Sequence, residues 1–221
     1  MNLSDAKREV EAFFRTYGKN ARPALLGSRK GKVYELYCLA RTVRFLKSFR
    51  GVSVRFVGAR VDFKASPGRI DKSRSHFVVS RGGAQFELHT DIEVRTMTAA
   101  WRREVADRSS YFEIDLVLVA DAQHGQRPEH RQIALGVECK AHENFSKATV
   151  KEVLGVRREL CFQRRSGDGP LRSLEALADP ARLVNVDPPS EFWLAFVDPK
   201  GMRYRAAPAV FSIEFKHWCP P

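Results

Sequence analysis

The run Tyr111–Ala120, YFEIDLVLVA, constrains the fold more than any other stretch. From Leu116 to Ala120 it is apolar on both sides of a period-two repeat, which predicts a central strand covered on both faces. Its natural neighbour is IALGVECKA (133–141), reached through the polar loop DAQHGQRPEHRQ. Upstream, VSVRFVG (52–58) alternates as a strand does, and AQFELHTDIEVRTM (84–97) supplies one long bent strand or two short ones. FWLAFVD (192–198) and AVFSIEF (209–215) read as late strands.

Helical spacing surrounds these runs. Residues 4–17 form a short amphipathic segment with Ser4 as cap and Val10, Phe13 and Phe14 on one side. After the basic linker GKNARPALLGSRKG, residues 32–49 repeat Val33, Leu36, Leu39, Val43 and Leu46 at three and four. Asn144–Cys161 repeats Val150, Val153, Leu154 and Leu160, and 171–178 predicts a further short helix. The order implies an α/β domain with a central mixed sheet flanked by helices, a single unit over 1–221. The stretch 64–83, polar and basic around Pro67-Gly68, reads as a loop or flap, with a short strand at 76–80 inside it.

Charge restricts the partner. Thirty-eight Lys and Arg stand against twenty-six Asp and Glu, a net charge of +12. Residues 1–50 alone carry twelve basic and four acidic side chains. Such a balance suits a polyanion, because each neutralised phosphate releases counterions. Cys38, Cys139, Cys161 and Cys219 form no CxxC and match no zinc spacing, so free thiols in a reducing, cytoplasmic setting are expected. No apolar run approaches the length of a membrane span, and the charged N-terminus is unlike a signal peptide.

The chemistry concentrates at Asp115, Glu138 and Lys140. Period two puts Glu138 and Lys140 on one face of their strand, and Asp115 interrupts an otherwise apolar neighbour. An aspartate there is costly to bury unless liganded or hydrogen-bonded. If the strands pair, two carboxylates and an ammonium converge. Hard oxygen ligands of this kind suit Mg²⁺, with Mn²⁺ as substitute, and a lysine beside them can stabilise charge developing on a phosphate. Gly136 leaves room for a close approach of backbone or substrate, or marks a bulge. Against this stand plainer readings, in which Glu138 and Lys140 are a solvent-facing ion pair.

The E-C-K at 138–140 and the aspartate of E-I-D-L-V resemble the two halves of the PD-(D/E)xK, or restriction-endonuclease-like, nuclease superfamily. The proline often found before that aspartate is replaced by Ile114. The resemblance covers about residues 31–161, with 192–215 completing the sheet. It implies metal-dependent hydrolysis of nucleic-acid phosphodiesters, DNA rather than RNA, in restriction, other defence or repair. It also implies a metal-binding glutamate on the first long helix, which Glu35 matches in context, although an ordinary solvated helix residue is the alternative. Lys147 and Lys151 are the nearest matches to a basic group on the following helix. Independently of the resemblance, Arg69, Lys72, Arg74 and Arg81 in the 64–83 flap are candidates for a clamp over the backbone, with a solvated loop of no such role as the alternative, and Glu113 is the best spare ligand. His76, His89 and His142 form no zinc pattern; His142, two residues past Lys140, is the one nearest the motif. Specificity would come from loops, from a homodimer or from a partner subunit. The rival reading is a non-catalytic nucleic-acid-binding or assembly subunit of a larger defence complex.

Overall fold

The computed structural model describes residues 1–102, 107–165 and 184–220. Helices α1 (Leu3–Arg15), α2 (Arg22–Leu25) and α3 (Lys30–Lys47) precede strands β1 (Ser53–Val57), β2 (His76–Arg81) and β3 (Ala84–Arg95). Then follow α4 (Met97–Arg102), β4 (Tyr111–Ala120), β5 (Ile133–Lys140), α5 (Lys147–Leu160), β6 (Phe162–Arg165) and β7 (Val184–Asp187). Strand β8 (Glu191–Phe196), helix α6 (Ala206–Val210) and strand β9 (Ile213–His217) close the chain.

Seven strands make one sheet in the order β1-β2-β3-β4-β5-β8-β9. Neighbours from β1 to β5 are antiparallel, whereas β8 joins β5 and β9 joins β8 in parallel. The parallel step needs a crossover, and α5 lies on it. One face of the sheet is covered by α1 and α3, where Val10, Phe14, Leu36 and Leu39 pack with Phe77, Leu88, Leu116 and Leu118. On the other, Val153 and Leu160 of α5 pack with Ile92, Val117, Val119 and Leu194. Both-sided cover explains the unbroken apolar run of β4: Leu116, Val117 and Val119 are fully buried. Arg157 of α5 is buried as well, donating to Ser190 Oγ and Ser190 O at 2.8 Å each and to Phe211 O at 3.3 Å, which ties the crossover helix to the start of β8.

Several expectations are corrected. Asn2, not Ser4, caps α1, its Oδ1 accepting from Ser4 N and Asp5 N; both residue types cap helices, and the chain enters two positions earlier. The late strand expected at 209–215 is displaced to 213–217 by α6 and by Ser212 at φ 58°. The small β6–β7 sheet falls where no strand was expected, and the helix expected at 171–178 lies outside the described residues. Within the 64–83 flap the strand expected at 76–80 is present as β2, while the part around Gly68 and Ile70 is docked against its neighbours rather than free. Ile70 is buried, its N–H donating to Gln126 O and its carbonyl accepting from Gly125 N.

The 84–97 segment is one strand with a turnover inside it. Leu88 packs on the α3 side but Ile92 and Val94 pack on the α5 side, although all three have the same parity. Asp91, at φ 52°, stands between them. A left-handed non-glycine residue costs on the order of 1 kcal/mol, and aspartate tolerates it better than most. Gly68 compensates the ladder, donating to Asp91 O and accepting from Glu93 N. Strand β4 follows the switch: Ile114 joins the α5-side core while Leu116 and Leu118 join the α3 side.

Gly136 admits neither substrate nor a bulge of its own. A β-carbon there would lie 3.0 Å from two ring carbons of Phe192 and 3.5 Å from Ile114. Gly136→Val is therefore expected to overpack the β5–β8 contact and lower stability by about 1–3 kcal/mol. Urea denaturation reads this directly, and an unchanged midpoint would contradict the packing described.

Candidate metal centre

The turnover in β3 has a chemical consequence. In the β3–β4 register Asp91 falls between the pairs Thr90↔Leu116 and Ile92↔Ile114, opposite Asp115. Helix α3 crosses this point and contributes Glu35 from its second turn. One carboxylate oxygen from each of Glu35, Asp91 and Asp115 lies within 4.8 Å of the others, the one such group of three or more metal-ligating side chains among the described residues. Three hard oxygens aimed at one point form a ligand set suited to a divalent cation.

Burial and like charge define the electrostatics. Burial first, and then the Glu138 carboxylate, raise Asp115 to about 8 against the opposing hydrogen bond from Cys139 N–H. That bond, 2.6 Å to Asp115 Oδ2, fixes the carboxylate's orientation. Burial also raises Glu35 to about 7, opposed by Lys32 and assisted by Asp115. Lys32 Nζ donates to Glu35 Oε2 at 2.6 Å and makes a short contact with Asp91 Oδ2. Its ammonium is held protonated despite burial by these two acids.

The structure thus brings Glu35 and Asp115 together and sets Glu138 and Lys140 beside them. Lys140 Nζ lies 2.9 Å from Glu138 Oε1 and 2.9 Å from Glu152 Oε1 on α5. Burial lowers the proton affinity of Lys140, but Glu138 and then Glu152 outweigh it and hold the ammonium protonated. The pair is not solvent-facing: the side chains of Glu138 and Lys140 are 13% and 17% exposed. Glu113 is exposed on the same strand as Asp115, and burial with the nearby Asp91 raises its pKa.

The basic residues fare differently. Lys72 is engaged by Glu87 at 2.8 Å, Arg74 by Asp62 at 2.5 Å, and Arg69 donates to Gly125 O at 3.3 Å, while Arg69 and Arg74 remain exposed. Arg81 is exposed at the end of β2. Lys147 and Lys151 line a cleft of about 420 Å³ with Val150, Arg203, Tyr204 and Pro208. His76 and His89 stack at 4.9 Å beneath the loop, with His89 Nε2 3.0 Å from Glu87, and His142 is exposed.

Asp91, Lys32 and Glu152 are the members that spacing did not single out. For Asp91 the signal was the one that marked Asp115: an aspartate inside a run of strand-forming residues.

Comparison with known protein families, with characterised proteins and with solved structures yielded no match to this chain. Among the described residues, no helix is long and apolar enough to cross a membrane.

Raised carboxyl pKa values give a testable sign. Between the unfolded value near 4 and the folded values of about 7 and 8, the native protein binds protons that the unfolded chain has released. Stability from these groups therefore falls as pH rises through that interval. A divalent cation binds the ionised form, so its stabilisation grows over the same range. Melting curves with and without Mg²⁺ should diverge from about pH 5 to about pH 9, with the metal-free Tm lower at the alkaline end. Asp115→Asn should flatten the divergence. Parallel curves would refute a cation site at these acids.

Proposed function

We propose that this chain is a divalent-metal-dependent phosphodiesterase acting on nucleic acid, of the restriction-endonuclease-like kind, with DNA the favoured substrate. The observation that carries the reading is the convergence of Glu35, Asp91 and Asp115 from one helix and two paired strands, with the Glu138–Lys140 pair on the next strand. The element order supports it: a helix bearing a glutamate, antiparallel strands, the strand bearing E-C-K, then a helix. The net charge of +12 supports a polyanionic substrate.

Glu35, Asp91 and Asp115 would hold Mg²⁺, for which Mn²⁺ would substitute; their carboxylate oxygens are the ligands such ions prefer. The ion, when bound, polarises the phosphate and acidifies a water. Cys139 N–H keeps the Asp115 carboxylate aimed, so one ligand is placed by backbone rather than by a mobile partner. Lys140, kept protonated between Glu138 and Glu152, serves as a fixed positive charge for the phosphate and not as a proton acceptor.

A second reading has its own observation. Both site lysines are already paired with carboxylates, Lys32 with Glu35 and Asp91, Lys140 with Glu138 and Glu152. A binding or assembly subunit that kept the architecture without catalysis could be neutralised in this way.

Incubation with labelled single-stranded DNA, duplex DNA and RNA, in Mg²⁺, Mn²⁺ or EDTA, separates the two. Metal-dependent cleavage of DNA is expected. Asp115→Asn, Asp91→Asn and Lys140→Met should each slow it by about a hundredfold or more while circular dichroism stays unchanged. Salt-sensitive binding without cleavage under every metal condition would return the second reading.

A further inference from the structure

The ammonium in contact with the clustered carboxylates belongs to Lys32, not to Lys140. Lys32 lies in the first turn of α3, one turn before Glu35, and its side chain is 18% exposed. Its Nζ bonds Glu35 Oε2 and Asp91 Oδ2, carboxylates that supply two of the three arms of the acidic cluster. Positive charge thus already stands against the ligand oxygens, supplied by the chain itself.

We infer that Lys32 is a resident counter-ion that an incoming divalent cation must displace, and that the displaced ammonium is taken up by the phosphodiester. This rests on the metal-dependent reading above. A cation close to an ammonium on shared carboxylates is repelled, so the lysine must leave its two acids before they can ligate fully. Leaving them costs Lys32 two charge-assisted hydrogen bonds unless another anion replaces them.

Of the basic residues in the first turn of α3, Lys30 is already paired with Glu143 at 3.1 Å, which leaves Lys32 as the one held by the acidic cluster. The phosphodiester of a polyanionic substrate is the anion that would receive it. Metal and nucleic acid then bind cooperatively, each strengthening the other by the same factor.

Mn²⁺ binding followed by electron paramagnetic resonance tests this on the full chain, alone and with a hydrolysis-resistant phosphorothioate duplex. Lys32→Met keeps the length of the side chain and removes its charge. It should bind Mn²⁺ alone about tenfold or more tighter than the wild type, and the duplex should tighten Mn²⁺ binding in the wild type but far less in the variant. Equal or weaker Mn²⁺ binding by Lys32→Met, with the wild type binding well, overturns the inference and leaves the metal centre standing. Failure of wild type and Lys32→Met alike to bind Mn²⁺, with or without duplex, overturns the metal reading itself. Should the variant not fold, nitrogen NMR of the Lys32 ammonium in the wild-type protein decides. Its signal should shift on saturation with Mg²⁺ and duplex, and an unmoved signal overturns the inference.

Discussion

Repulsion among partly buried carboxylates is the constraint around which this molecule is arranged. Glu35, Asp91 and Asp115 come from three separate elements, and their like charges oppose the approach that Lys32 favours between Glu35 and Asp91. The elements themselves are held by apolar packing. Helix α3 is fixed by Val33, Leu36, Leu39 and Val43 on one face of the sheet, and β3 and β4 are fixed by cores on both faces. The acids therefore lower their charge by taking up protons or by pairing with lysine, as the upward shifts of Glu35 and Asp115 and the contacts of Lys32 record.

The two lysines play unequal parts in that balance. Lys140 is gripped from β5 by Glu138 and from α5 by Glu152, so it bridges sheet and crossover helix. Lys32 is gripped by Glu35 and Asp91, members of the acidic cluster itself. Removing either partner of such a contact leaves a partly buried charge uncompensated, which costs more than the contact was worth. Both the acids and the lysines are thus bound to one another's presence, whatever ligand arrives.

Much of this could be read from the order of residues, and the exceptions have physical causes. The two-sided apolar run of β4 announced a covered central strand, and the three-four repeat of α3 placed Glu35 on a helix, because burial patterns of these kinds are local. Asp91 carried the same strand-interior signal as Asp115, but its place beside Asp115 depends on a left-handed φ and on Gly68 docking alongside, which no local period encodes. Strict alternation would put Ile114, Leu116 and Leu118 on one face, whereas the turnover beside Asp91 separates Ile114 from the others. Gly136 was ambiguous by itself; only the parallel partner β8, which brings Phe192 against it, shows what its missing side chain makes room for.

The docking of Gly68 against Asp91 also bears on how the molecule comes apart. The acids are remote in sequence, and their mutual repulsion exists only after β3 has turned over, β4 has paired and α3 has settled. Where such repulsion is absent from the folding transition state, it hastens unfolding while leaving folding speed nearly untouched. A cation bound among the three acids would then act chiefly as a brake on escape from the native state, lengthening the protein's lifetime rather than helping it form.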